Sequence, residues 1–330
     1  MEPLYRRSYD AAALLRDHPP VFRHAHKAAL FDVAYPGGAG ASGTIDVTRW
    51  AAHVLAAIEL PAGLATEVRP AFYDYAPTAG VGHGLEWHVN FADPRVFAAY
   101  GSGLLAQDEM QVVEHPLLGS VREALLAEGL AAKTTDETGP TPILVRGVER
   151  RLGIATDPDV AAGRPLGLYG NRFAAAPLDV VLRAARRVDP PAYSNVIAMA
   201  APSGGRGDYT EGQVGLIFQI AHTAFAAAVQ ETRAARGAGA ETVVHTGFWG
   251  CGAFGGNRRL MVAVQALAAR AAGVGRLVVH AGDPAGAADA ERGLEVGEDV
   301  ADRCGRACGL DTIAGRMVIL GYRWGVSDGN

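Results

Sequence analysis

The period of the apolar positions changes several times along the chain, and each change marks an element. Gln213 to Arg236 is rich in Ala with helical apolar spacing and predicts a long helix. Thr242-Val243-Val244 predicts a strand, Arg258 to Ala272 a second helix, and the run at 277–281 the next strand. His88-Val89-Asn90-Phe91-Ala92 alternates as a strand does, Asn195 to Ala200 reads as a buried strand, and Met317 to Tyr322 as a last one. Nearer the start, a helical pattern around Tyr9 to Leu15 is broken by Pro19-Pro20, and Pro36 to Gly40 forms a glycine-rich turn. Asp46 to Trp50 is expected to open a helix, with Asp46 as N-cap and Pro61 closing it. The polar stretch Lys133 to Pro140 reads as an exposed loop. Strands alternating with helices predict an α/β sandwich. Residues 1–80 are expected to be a mainly helical accessory region on a unit spanning 81–330, the whole forming one compact body.

Bulk properties narrow the picture. The chain has 330 residues, 49% of them hydrophobic and 20% charged, as in a globular protein with a sizeable core. No uninterrupted apolar run approaches ~18 residues, and no signal-type apolar core follows Met1 to Arg7, so no membrane association is expected. A net charge of −5 argues against direct nucleic-acid binding through broad phosphate neutralisation. Cys251, Cys304 and Cys308 make no disulfide framework, and a cytoplasmic location is expected.

Between the strand at 242–244 and the helix at 258 lies Thr246-Gly247-Phe248-Trp249-Gly250-Cys251-Gly252-Ala253-Phe254-Gly255-Gly256-Asn257, with five glycines in the ten residues 247–256. Glycines let backbone N–H groups converge on one point, and the helix that follows adds its N-terminal dipole. That combination suits a phosphate or diphosphate, and strand-to-helix junctions are where α/β sheets bind ligands. A tight turn packing helix on sheet is the plainer alternative.

This segment resembles the poly(ADP-ribose) glycohydrolase family, which carries Thr-Gly-Asn-Trp-Gly-Cys-Gly-(Ala/Val)-Phe-Gly-Gly-Asp before the same kind of helix. Phe248 stands where the family has Asn, and Asn257 where it has Asp. A second segment agrees in order and spacing. Val89-Asn90-Phe91-Ala92-Asp93 is followed after thirteen residues by Gln107-Asp108-Glu109, as a Val-Asp-Phe-Ala-Asn-like strand precedes Gln-Glu-Glu in the family. The resemblance spans about residues 85–285. It implies a macrodomain-like α/β/α sandwich with a mixed central sheet and a helical N-terminal extension. It also implies an enzyme that hydrolyses a glycosidic bond in an ADP-ribose-containing or NAD-derived nucleotide, with ADP-ribose or a related dinucleotide as ligand and no metal or cofactor. Oligomeric state is not legible.

Residue by residue, the resemblance makes Glu109 the general acid/base and Asp108 its catalytic neighbour, and lets Gln107 orient a ribose hydroxyl. Glycosidic cleavage needs a proton donor and stabilisation of an oxocarbenium-like centre, which a substrate diphosphate can supply. Neighbouring residues on a helix point ~100° apart, so the two carboxylates have unequal roles. Gly252, Ala253, Phe254, Gly255 and Gly256 would cradle the diphosphate, with Trp249 beside them, and Tyr169 would belong to a loop covering the ligand. Departures cluster around the same ligand. Phe97-Ala98-Ala99 replaces a Gly-Gly-Gly loop, Asp93 replaces Asn, and Phe97 is expected to fill space that polymer occupies in relatives. Two alternatives stand beside hydrolysis of ADP-ribose conjugates: a glycosidase trimming an NAD-derived metabolite, and a non-catalytic ADP-ribose reader. His83, His88, His222, His245 and His280 read as scattered structural residues. Cys304 and Cys308 are expected to share one helical face in core packing.

Overall fold

The computed structural model describes residues 1–53 and 57–329. Eight strands form its central sheet: β1 (Pro3–Asp10), β2 (Thr44–Trp50), β3 (Ala65–Arg69), β4 (Leu85–Phe91), β5 (Ile143–Ile154), β6 (Ala185–Met199), β7 (Thr242–Gly247) and β8 (Arg276–His280). Their order across the sheet is β1-β2-β5-β6-β4-β7-β8-β3. The pairs β1–β2, β2–β5 and β5–β6 are antiparallel, while β6, β4, β7, β8 and β3 form a parallel block. The sheet is therefore mixed, and the carboxyl ends of β4, β6, β7 and β8 lie along one edge.

Helices cover both faces. On one side sit α1 (Ala11–Asp17), α2 (Ala25–Ala34), α3 (Gln107–Glu114) and α4 (Leu117–Ala127); on the other, α5 (Glu211–Arg236), α6 (Arg258–Ala272), α7 (Pro284–Cys304) and α8 (Leu310–Ile319). Two hydrophobic cores follow from strand alternation. Ile197 and Met199 of β6 enter the α5–α8 core, and Val196 and Ala198 the α1–α4 core. Helix α5 is closed at its start by a reciprocal Thr210–Gln213 capping box. It is long and apolar enough to cross a membrane, but 67% of its most apolar stretch is buried within the fold. Its apolarity serves the core.

Five sequence expectations change. Residues 46–50 form strand β2, not a helix: β-branched Ile45 and Val47 are buried on the sheet. Asp46 accepts from Ser8 Oγ on β1 and pairs with Arg146 on β5, instead of capping. Residues 1–80 supply β1, β2 and β3 to the sheet, so this region is no helical layer. The expected strand at 317–322 is the end of helix α8, whose Ile313, Ala314 and Met317 are buried while Ile319 is exposed. A short apolar run cannot be told from a buried helical stripe by composition. Cys304 ends α7 at Gly305, and Cys308 lies on a short strand pairing with Ile58–Glu59, so no helical face joins them. The stretch at 133–140 is less exposed than expected: Thr135–Asp136 pairs with Gly139–Pro140, and Thr134 and Pro140 are buried.

Candidate active site

The carboxyl ends of β4, β7 and β8 open onto a cavity of about 750 Å³. Three loops and the C-terminal segment build its walls.

The first loop joins β4 to α3. Gln107, at the start of α3, accepts from Phe91 N–H at 2.7 Å and donates to Val89 O at 3.1 Å. Its amide thus fixes the helix start against β4, and Gln107 also lines the cavity. Asp108 and Glu109 follow, and both line the cavity while being buried. Asp108 Oδ1 accepts from Asn90 Nδ2 at 3.1 Å, and Glu109 Oε2 accepts from Ala106 N–H at 3.1 Å. Burial, reinforced by the neighbouring Glu109 charge, pushes the Asp108 carboxyl up to about 8. Burial also raises Glu109, against the opposing pull of Lys27. Burial moves such a carboxyl in the direction a general acid requires, toward holding its proton to higher pH.

Lys27 was not foreseen. It lies on α2, fully buried, and donates to Tyr100 O at 2.8 Å. Burial lowers its ammonium to about 8, while Glu109 and Asp108 favour its charged form. A lysine following His24-Ala25-His26 reads as a solvated helix face, so nothing local in the sequence pointed inward.

In the same loop, Ala98 and Ala99 line the cavity but Phe97 does not. Its ring is fully buried in the α1–α4 core. This overturns the expectation that Phe97 fills polymer space. Its backbone has φ 53°, the left-handed conformation a glycine adopts without penalty. The loop thus keeps a glycine-like turn at Phe97, and the core holds the side chain. Asp93 lies at the cavity wall and accepts from Arg95 N–H at 2.9 Å.

The second loop is the glycine run after β7. Gly250 has φ 76°, and a Cβ there would come within 2.6 Å of Ala201. Gly256 N–H closes onto Gly250 O at 2.8 Å, and Gly255 N–H onto Gly252 O at 3.0 Å. No backbone carbonyl among the described residues accepts from the N–H of Gly252, Ala253 or Phe254, and all three line the cavity. Gly255 and Gly256, expected to touch ligand, shape the turn from behind and do not line the cavity. Trp249 is a buried pillar donating from Nε1 to Met199 O at 3.0 Å. Phe248 forms part of the wall with the Arg258 guanidinium 4.7 Å from its ring centre.

The remaining walls were less legible. Tyr169 lines the cavity, its hydroxyl bonded to the Gln107 backbone, and burial raises it to about 12. The C-terminal segment crosses the glycine run: Gly325 N–H donates to Gly255 O at 2.7 Å, and Val326 and Asp328 line the cavity. His280 also lines it, and of the histidines expected to be scattered, His88, His245 and His280 come together, while His222 packs apart from them against His53. His280 Nε2 lies 3.0 Å from His245 Nδ1, and His245 stacks on His88 at 4.4 Å. No cluster of His, Cys, Asp and Glu suited to a metal occurs among the described residues.

Fold and site together define an α/β/α sandwich with a glycine-rich loop and two buried carboxyl groups lining one cavity at the carboxyl edge of its parallel strands. Residues 180–284, which carry the glycine run, match the family model described as Poly (ADP-ribose) glycohydrolase (PARG), Macro domain fold. The resemblance expected from the motifs is thus met over that segment, while the Gln107-Asp108-Glu109 segment lies outside it. No curated protein matches the chain. Among solved structures, poly(ADP-ribose) glycohydrolase from Thermomonospora curvata is similar at 17% identity, covering 82% of this chain and 98% of that one with a TM-score of 0.49. The enzyme from Deinococcus radiodurans in complex with ADP-ribose is similar at 13% identity, covering 88% and 94%, with a TM-score of 0.44. A T. curvata structure bound to the inhibitor ADP-HPD gives 19% identity, 70% and 79% coverage, and a TM-score of 0.44.

Proposed function

We propose that this protein hydrolyses a glycosidic bond in an ADP-ribose-containing or NAD-derived nucleotide, with Glu109 as general acid and then base. The observation that carries this reading is one cavity lined both by the buried carboxyl of Glu109 and by the backbone at Gly252, Ala253 and Phe254. The diphosphate sits on those amides and at the start of α6, where partial positive charge gathers. Glu109 gives its proton to the leaving oxygen as the glycosidic C–O bond breaks, and the diphosphate stabilises the positive charge left on the ribose. Ionised Glu109 then takes a proton from water as the water oxygen bonds to the anomeric carbon, and the acid is restored. Asp108, held by Asn90, fixes the helix start and the charge around its neighbour.

A small nucleotide conjugate suits the cavity better than a long polymer. Ala98 and Ala99 carry Cβ atoms on its wall, and Val326 and Asp328 stand across from the glycine run.

Calorimetry with ADP-ribose tests the ligand. A Cβ at Gly252 would lie 3.0 Å from Asp328 Oδ2, so Gly252→Val should weaken binding about tenfold or more. Absence of binding by the folded wild type removes the ligand assignment. Tight binding without release of ADP-ribose from any conjugate favours a reader instead.

A further inference from the structure

A second cavity of about 400 Å³ lies beside the start of β4 and residues 192–195 of β6, and shares no lining residue with the first. Ser194 lines it and is buried. The Ser194 Oγ lies 2.9 Å from His115 Nε2, and His115 Nδ1 lies 2.9 Å from Gln111 O. A carbonyl only accepts, so Nδ1 carries the ring proton. Burial keeps the ring neutral, lowering it to about 3. Nε2 is therefore an acceptor, and the Ser194 hydroxyl donates to it. A hydroxyl donating to an imidazole whose far nitrogen is held by a third group is the arrangement that activates a serine. Two further observations point to a ligand. His88 lines the same cavity, is 6% exposed, and neither of its ring nitrogens has a partner among the described residues. Gly80 and Gly82, with φ 82° and 55°, also line it, and no backbone carbonyl among the described residues accepts from their N–H groups. Free amides in such a turn can hold an oxyanion.

We infer that Ser194 is the nucleophile, and His115 the general base, of a second site that takes small, uncharged carboxylic esters. The substrate class follows from the walls. Glu86 lines the cavity, its carboxylate taken up by Thr78 N–H, Thr78 Oγ1 and His245 Nε2, and its charge disfavours an anionic substrate. Pro77, Val81 and Leu85 add apolar surface for a short acyl group. Ser194 Oγ bonds to the ester carbonyl carbon as its proton passes to His115 Nε2, and the carbonyl electron pair moves onto oxygen. When that pair returns, the bond to the alcohol oxygen breaks, and His115 gives the proton to the departing alkoxide. Water repeats both steps on the acyl-serine, releasing the carboxylic acid and restoring Ser194. An imidazole so lowered is a weak base, so turnover is slow. This site shares neither cavity, residues nor readout with the glycosidase reading, so the two fail separately.

The test treats the whole protein with diisopropyl fluorophosphate and reads the adduct by mass spectrometry of the intact and digested chain. Attack forms a serine O–P bond and breaks the P–F bond, with fluoride leaving and the hydroxyl proton passing to His115. An adduct on Ser194 is expected. It should be absent from Ser194→Ala and form about 10²-fold more slowly in His115→Gln. p-Nitrophenyl acetate, a small uncharged ester, should be turned over by the wild type and not by Ser194→Ala. If His115→Gln does not fold, Ser194→Ala, which loses one oxygen, still decides. No adduct on Ser194 in the folded wild type, equal labelling in folded His115→Gln, or equal ester turnover by Ser194→Ala overturns the inference and leaves the Ser194–His115 bond to packing.

Discussion

Asp108 carries a measurable cost for its position. Its folded carboxyl is raised to about 8 from the usual 3.8 by burial and by Glu109. The folded state therefore binds the proton more tightly, and the stability tied to that proton is complete below pH ~4 and lost as pH rises toward 8. Asp108→Asn should thus match the wild type in acid and exceed it increasingly from pH 5 to 8, as urea unfolding across that range will show. A constant difference at all pH values would mean that the carboxyl is not raised. Phe97 gives an independent residue-scale expectation. Phe97→Gly relieves the left-handed backbone but empties a filled core position, for a net loss of about 3 kcal/mol. A neutral result would return Phe97 to the cavity. Glu109 was legible because its spacing to Asp93 and to the glycine run matched a family pattern. Lys27 and the core placement of Phe97 were not, since each depends on which way a side chain turns once distant elements meet.

Most elements around the glycine run were readable because α5, β7, α6 and β8 alternate in sequence as they do in space. Helix α6 spans Arg258–Ala272, the range its pattern predicts. Misreadings fell on short segments, β2 and the end of α8, where five or six residues fit either period. The C-terminal segment was unreadable for another reason: it has no periodicity and is held by the sites it crosses. Trp324 stacks on Tyr209 at 4.3 Å and lies over Gly205, where any Cβ would collide with the indole. That anchor puts the Asp328 side chain beside Gly252, where its negative charge would oppose the diphosphate of the proposed ligand. Asp328→Asn should therefore bind ADP-ribose about 2–5-fold more tightly, and the gain should shrink as salt rises. Weaker binding by the variant would show that the carboxylate assists the ligand.

At the scale of the whole molecule, the N-terminal quarter belongs to the sheet. Residues 1–80 contribute three of its strands and carry the buried Lys27 on α2. A chain beginning at residue 81 should lose its cooperative melt, because β5 and β8 would become open edges above an uncovered core. A sharp transition for that shortened chain would make the region accessory after all. The cavity sits where the parallel strands end, so the same topology that closes both cores brings the Asp108–Glu109 carboxyls and the glycine run onto one cavity. In the proposed reaction this cavity breaks a glycosidic bond with the proton of Glu109. The most direct test of that reaction is the rate of ADP-ribose release from small ADP-ribosyl conjugates by the wild type and by Glu109→Gln at equal ligand occupancy. The account predicts measurable release by the wild type and a loss of about 10²–10⁴-fold in the variant; equal rates in the two proteins would contradict it.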